Sequence, residues 1–469
     1  MRRGCRGKAG RAAIAAIPSF YLSGAAGADM HDGSKIGFWT CTALVVGNVI
    51  GMGIFVLPAS LAPFGFNALI GWGVVTLGCL MLARVFAHLA RALPQAAGPY
   101  GYIRGTLGEL PAYAALWAYW VSIWLTNATL ATGVVGYLMV AFPALSGVQS
   151  VLFPLVLLWA VVAVNLFGVR TGGGVQILTT TLKLLPMLAI ALLGGWMLLS
   201  APASYAAHVP TTPVTLRGVM TASTIALFAM LGIESASIPA TRVRDPGRTV
   251  ARATMTGTVI VAVIYIIVSA VPLLLLGQRE LADAAAPFAL VLERFGSPAS
   301  GRWLALFVVV SGMGALNGWT LLSGELTRTM AGDGVLPAPL ARVNRFGAPV
   351  VALLVTGVLA SVMVCMSHSR SLVAAFTFLT RVVTAVNLPL YLCCAAALLV
   401  LWRRRAPACA THGAVLAACG ATAFVVLAFV GIGEEPFLYA LGLGAAGLPL
   451  YACMRRRRRS APSAEVIPE

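Results

Sequence analysis

Runs of about twenty apolar residues, the length that crosses a hydrocarbon core as a helix, recur from near residue 37 to residue 454 with only short breaks. No other feature restricts the fold as strongly. A bilayer interior offers no partner to a free amide or carbonyl, so a chain organised this way must satisfy its backbone within helices. Only 10% of the residues are charged and 59% are hydrophobic, whereas soluble proteins carry roughly a quarter charged residues. The expected fold is therefore all-α and polytopic, with no room for a soluble domain.

Twelve spans are predicted, at 37–62, 66–90, 112–141, 150–168, 176–200, 218–239, 252–277, 303–330, 348–367, 372–402, 413–431 and 436–454. With the N-terminus inside, 24 of the 32 lysines and arginines fall on the inner side; Arg217, Arg279, Arg294, Arg302 and Arg370 fall outside, and Arg84, Lys183 and Arg381 lie within spans. This excess is the positive-inside signature, and it predicts that both termini are cytoplasmic. The net charge of +18 thus reflects topology, and no nucleic-acid partner is expected. Arg455–Arg459 read as a stop signal and an anchor for lipid headgroups.

The nine cysteines lie mostly inside apolar spans without CxxC spacing and read as small core hydrophobes, with no disulfide framework or metal site. The five histidines (31, 88, 208, 368 and 412) are scattered through loops and span ends. A membrane-embedded enzyme would need a metal cluster or a nucleophile with its base, so no enzyme and no cofactor are expected. Residues 1–29 look superficially like a signal peptide, but the apolar stretch is short and interrupted by Pro18 and Ser19. Met30 is an alternative start, and 1–36 is read as an N-terminal cytoplasmic segment.

Two spans carry breaks. The first contains Gly47-Asn48-Val49-Ile50-Gly51-Met52-Gly53, three glycines in seven residues. Glycine tolerates unwinding and lets a ligand approach backbone amides. The half-helix that follows offers free N–H groups to an anion such as a carboxylate. The sixth span carries Ala229-Met230-Leu231-Gly232-Ile233-Glu234-Ser235-Ala236-Ser237. If spans 1–5 (37–200) and 6–10 (218–402) are repeats, the breaks fall at corresponding positions, the sequence mark of an inverted-repeat transporter site. Spans 11 and 12 (413–454) are then accessory, and 455–469 is a basic cytoplasmic tail.

A charge inside the membrane normally faces a cavity or a partner. Glu234 reads as a proton-responsive gate or coupling residue, or as an acceptor for unwound amides. Arg381, placed mid-span, could bind a substrate carboxylate, pair with Glu234, stand in for a coupling cation or act as an inter-helix strut; Lys183 is similarly open. A cationic substrate can be held over a ring face, and Tyr119, Trp120, Trp124, Phe228 and Trp319 are the aromatic candidates. Asn127, in span 3, could orient the ligand.

The segments Gly47 through Phe55 with Leu57-Pro58-Ala59, Gly232 through Ser237, Gly318-Trp319-Thr320-Leu321-Leu322, and Asp333-Gly334 to Ala341-Arg342-Val343-Asn344 resemble the amino acid–polyamine–organocation transporters. Within that superfamily the chain resembles the basic amino acid/polyamine antiporters, most of all those exchanging arginine for agmatine. The resemblance implies twelve helices in two inverted five-helix repeats plus two accessory helices, a likeness to homodimeric carriers in a bacterial inner membrane, and exchange of an external amino acid for its decarboxylated internal product. Its small-molecule partners would be amino acids and polyamines. It also implies a substrate site at Asn48, Val49, Gly53, Ser122, Asn127, Phe228, Leu231 and Trp319, with gating or proton sensing at Tyr100, Tyr119, Glu234 and Arg381. Met52 stands where the arginine/agmatine type has serine, Phe228 where it has a gate tryptophan, and Ser122 and Ile123 where it has alanine and cysteine. Arg381 is an added positive charge. Ornithine/putrescine or lysine/cadaverine exchange and a proton-coupled neutral amino acid permease are the alternatives.

Overall fold

The computed structural model describes residues 37–93, 96, 98–145, 151–167, 172–233, 246–367, 369–407 and 409–460. Among these residues the helices are α1 (Phe38–Val49), α2 (Gly53–Leu61), α3 (Phe66–Ala92), α4 (Gly98–Leu107), α5 (Glu109–Ala141), α6 (Leu152–Leu166), α7 (Gly172–Ser200), α8 (Ala203–Ala207) and α9 (Leu216–Leu227). They continue as α10 (Pro246–Leu275), α11 (Gln278–Asp283), α12 (Pro287–Phe295), α13 (Pro298–Gly332), α14 (Val350–Met366), α15 (Leu372–Arg403), α16 (His412–Gly431), α17 (Glu434–Ala445) and α18 (Gly447–Ser460). No strand is present among the described residues.

Eight helical stretches are long and apolar enough to cross a membrane: α3, α5, Leu182–Ser200, Ala251–Leu275, α13, α15, α16 and Glu434–Arg456. Shorter apolar helices occupy Gly53–Phe64, Leu152–Leu166, Leu216–Met230 and Val350–Met366. Among the described residues every predicted span contains helix, and eight of these stretches have the length to cross a membrane. The stretches at 53–64 and 216–230 are short because each abuts a break.

The structure refines the predicted elements in three places. Of the three glycines in the first break, Gly47 remains inside α1, and the chain leaves the helix only at Ile50. The last predicted span is parted at Ala446, just before Pro449, which has no N–H to continue the ladder. Four short helices, α4, α8, α11 and α12, lie between spans. Of these, α12 starts at Pro287 and buries Phe288, Ala289 and Val291 while Glu293 and Arg294 stay on its other side, an amphipathic pattern.

The bundle is organised around α5. In its most apolar stretch 83% of residues are buried, against 6% for Glu434–Arg456, so α5 is the centre and the last helices are the periphery. It packs along α13 and α15, while α10 lies against α1 and α3. The half-helix α2 is enclosed by α5, α9, α10 and α15. That enclosure sets the two interrupted segments against each other.

Candidate functional site

The first break begins where α1 ends. Ile50 turns to φ −70°, ψ 100°, its amide closing on the Val46 carbonyl at 2.9 Å. Gly51 and Met52 lie outside the helices, and α2 starts at Gly53. A helix start leaves its first amides without intrahelical acceptors. Among the described residues no backbone carbonyl accepts from the amides of Gly51, Met52, Gly53 or Ile54. The carbonyl side is covered: the Tyr265 hydroxyl on α10 donates to Val49 O at 3.0 Å. Tyr137 on α5 donates to Phe55 O at 2.7 Å and accepts from the Phe288 amide at 3.3 Å. Both tyrosines are fully buried.

The second break follows α9. Phe228–Met230 tighten into a 3₁₀ turn, Leu231 becomes extended at ψ 145°, and Gly232 takes φ +101°, a left-handed value that a Cβ would strain. The two breaks touch: a Cβ built on Gly53 would lie 2.8 Å from Phe228 Cε1 and 3.0 Å from Cδ1. Glycine is what lets the ring lie on the backbone at the start of α2. The same ring meets Phe376 of α15 edge-on, with centroids 6.0 Å apart.

Between the breaks is a cavity lined by Val49, Gly51, Gly53, Thr126, Leu130, Phe228, Ala229, Leu231 and Trp319. Its volume is about 30 Å³, room for about two water molecules, so the site is closed around the Phe228 ring. No lining side chain among the described residues is charged. The polar and aromatic groups at the cavity are the Gly53 amide, which has no backbone acceptor among the described residues, the Thr126 hydroxyl, and the rings of Phe228 and Trp319. Unpaired amides at a helix start suit an anion and ring faces suit an organic cation.

The predicted substrate residues divide. Val49, Gly53, Phe228, Leu231 and Trp319 line the cavity together. Asn48 lies in the last turn of α1. Asn127 is buried beside the wall, its Oδ1 accepting from Thr320 Oγ1 at 3.4 Å. Ser122 donates to Tyr119 O at 2.7 Å and its carbonyl accepts from Thr126 Oγ1 at 2.7 Å, so Ser122 sits one turn away from the lining. Thr126 and Leu130 line the cavity and were not predicted; Thr126, polar in an apolar span and next to Asn127, was the available signal.

Of the predicted gating residues, Tyr100, Tyr119 and Arg381 are not among those lining this cavity. Tyr119 lies two turns before Thr126 on α5, roughly 10 Å along the axis. Tyr100 lines a separate cavity. The Arg381 guanidinium lies at the turn between α16 and α17, with Nη1 3.7 Å from a Cβ built on Gly433. Its Nε has no hydrogen-bond partner among the described residues. Glu234 lies outside the described residues. Lys183 is buried on α7 and is not among the residues lining the cavity. Asn317, beside Gly318, is tied to α6 by the Asn165 amide at 2.8 Å. Trp120 donates to Thr327 Oγ1 at 2.6 Å, a packing role.

Met52 is buried away from the cavity lining. Its side chain fills a notch between α5 and α13, where a Cβ on Gly133 would lie 3.4 Å from Met52 Cγ and one on Gly312 would lie 2.9 Å from Met52 Sδ. The residue that replaces the expected serine is thus a packing wedge.

A cavity held between two interrupted helices inside an apolar bundle is the arrangement of a secondary transporter's solute site. The protein is a membrane transporter. Residues 36–438 match the model of the amino acid permease family. The chain is 33% identical over 393 residues (77% of this chain, 83% of the relative) to a Bacillus subtilis (strain 168) protein named as an arginine/ornithine antiporter. It is 28% identical over 426 residues (90% and 97%) to the putrescine transporter PotE of Escherichia coli (strain K12). It is 32% identical over 338 residues (70% and 74%) to the cadaverine/lysine antiporter of the same strain. A solved manganese transporter from Eremococcus coleocola shares the fold with a TM-score of 0.50 and 14% identity, covering 92% of this chain and 97% of that one. The chain belongs to the amino acid permease family and, within it, to the basic amino acid/polyamine antiporters of the APC superfamily.

Proposed function

We propose that this protein exchanges external arginine, or another basic amino acid, for an internal decarboxylation product such as agmatine. The observation that carries the reading is a cavity lined by Gly53, whose amide has no backbone acceptor among the described residues, together with Phe228 and Trp319, and by no charged side chain among those residues. The amides take the carboxylate and the rings take the cationic end. Twelve spans in two inverted five-helix repeats with two accessory helices, both termini cytoplasmic, a bacterial inner membrane and a homodimer complete the proposal. Alternating access then rocks the repeats about the site, with Glu234 as the proton-responsive gate, Tyr119 as an outer gate, Tyr100 in the inner region and Arg381 as an outer charge.

Arginine/ornithine, ornithine/putrescine and lysine/cadaverine exchange form the second reading, favoured by the names of the relatives. The test is counterflow of labelled arginine into proteoliposomes at pH 5 and pH 7.5, with agmatine, ornithine, putrescine, lysine and neutral amino acids as competitors. Uptake that requires a loaded trans substrate, blocked by agmatine, is expected. Equal flux into empty vesicles defeats antiport, and competition by neutral amino acids without agmatine defeats the substrate assignment. Glu234→Gln should abolish the pH dependence.

A further inference from the structure

A second cavity is roomier than the one between the breaks. A space of about 260 Å³ is lined by Tyr100, Glu109, Tyr113, Gly334, Val335, Tyr451, Met454 and Arg455. Four elements build it: α4, the first turns of α5, the turn after α13, and α18. Its wall is fixed by polar and ring contacts. Tyr113 is buried and donates to Gly447 O at 3.0 Å, its ring centroid is 4.7 Å from that of Tyr451, and Trp117, one turn on, donates to Leu443 O at 2.9 Å. These contacts hold α17 and α18 against α5, and Gly334 at φ +66° turns the chain after α13 into the remaining side.

The chemistry differs from that of the central cavity. Glu109 and Arg455 bring opposite charges to one space that also holds three phenol rings. A carboxylate beside aromatic faces suits an ammonium, and a guanidinium suits a carboxylate by charge-assisted hydrogen bonds. A bare diamine would gain only the first half and would be repelled by Arg455.

The geometry points to a second binding site at this cavity, for a free α-amino acid in its zwitterionic form, with its ammonium toward Glu109 and the tyrosines and its carboxylate on Arg455. The cavity lies where Arg455 begins the basic tail, so its cytoplasmic orientation rests on the topology proposed above. The site then samples the internal amino acid pool separately from the transport site.

The test is equilibrium binding of labelled L-arginine to the full chain in nanodiscs. Wild type should bind about two per chain, and Trp319→Ala and the Glu109→Gln/Tyr451→Ala variant about one each. Arg455→Ala should weaken the site left in Trp319→Ala at least tenfold, and agmatine should compete there at least tenfold less well than arginine. One arginine per chain in wild type, unaffected by Glu109→Gln/Tyr451→Ala, overturns the second site and leaves the central one standing. Loss of all binding in Glu109→Gln/Tyr451→Ala, with none lost in Trp319→Ala, supports the second site and removes the central reading. An aminophospholipid headgroup carries the same pair of charges. Retention of the second arginine in discs containing phosphatidylethanolamine supports a free amino acid, and its loss there but not in phosphatidylglycerol discs assigns the cavity to lipid and overturns the proposal.

Discussion

Replacing Gly53 by alanine tests the contact between the two breaks. The added Cβ would stand 2.8 Å from Phe228 Cε1 and 3.0 Å from Cδ1, closer than real Cβ atoms approach a ring. The ring has little space to yield, because the adjoining cavity is about 30 Å³ and the Phe376 ring meets it edge-on. Overpacking of this kind costs about 1–3 kcal/mol, so the closed arrangement should become about 5- to 150-fold less populated relative to arrangements with the ring displaced. The same methyl also blocks approach to the amides at the start of α2. Counterflow of labelled arginine into arginine-loaded proteoliposomes should show half-saturation raised about tenfold or more and a lower maximal rate. Phe228→Ala removes the ring that clashes, so adding Gly53→Ala to Phe228→Ala should cost much less than adding it to wild type, a coupling of about 1 kcal/mol or more. Wild-type half-saturation and rate in Gly53→Ala, or strict additivity with Phe228→Ala, would refute the contact as the closing element.

Tyr265→Phe removes the donor to Val49 O and should cost about 1–3 kcal/mol of stability, read as a lower midpoint of thermal unfolding in detergent; an unchanged midpoint dismisses the tyrosine as a clasp. Met52→Ser should destabilise by about 2–5 kcal/mol, the range for truncating a buried methionine, without tightening arginine binding, because the side chain faces Gly133 and Gly312; tighter binding would place residue 52 at the substrate. Burial raises the Glu293 carboxyl above its ordinary range, with Arg302 opposing the shift. The folded form therefore holds the proton more readily than the unfolded form, and this group's contribution to stability falls as pH rises through that range. Glu293→Gln should flatten that part of the stability profile, and an unaltered profile would contradict the burial argument.

The breaks were legible because they violate the rule that membrane helices run unbroken: three glycines in one span, and glycine with glutamate and serine in another. Which glycine performs the break was not legible. Gly47, Gly51 and Gly53 are equivalent on paper; the structure leaves Gly47 inside α1, puts Gly51 in the break and Gly53 at the start of α2, where only the Phe228 ring requires a glycine. The face of α5 that looks into the cavity was hidden for a related reason. That helix is buried nearly all round, so no polar stripe marks Thr126 and Leu130 as lining and Ser122 as set back. Polarity drew the reading to Asn127, which the structure uses beside the wall, joined to Thr320.

The hydroxyl contacts of Tyr265 and Tyr137 were beyond sequence reasoning, since they join residues 216 and 82 positions apart. They matter because an unwound segment in an apolar bundle leaves carbonyls as well as amides exposed, and each unpaired buried group costs about 1–3 kcal/mol. Tyr265 meets the break at both the Val49 carbonyl and the Gly51 amide, so the contrast lies one step further on, at the start of α2. The last α1 carbonyl is covered by a tyrosine from α10, while the amides of Gly53 and Ile54 have no backbone acceptor among the described residues. A break that existed only to bend a helix would gain from covering both sides. One that leaves its donors open beside a cavity keeps a positive electrostatic end for a solute carboxylate, and Phe228 lying on Gly53 keeps the rest of that cavity closed.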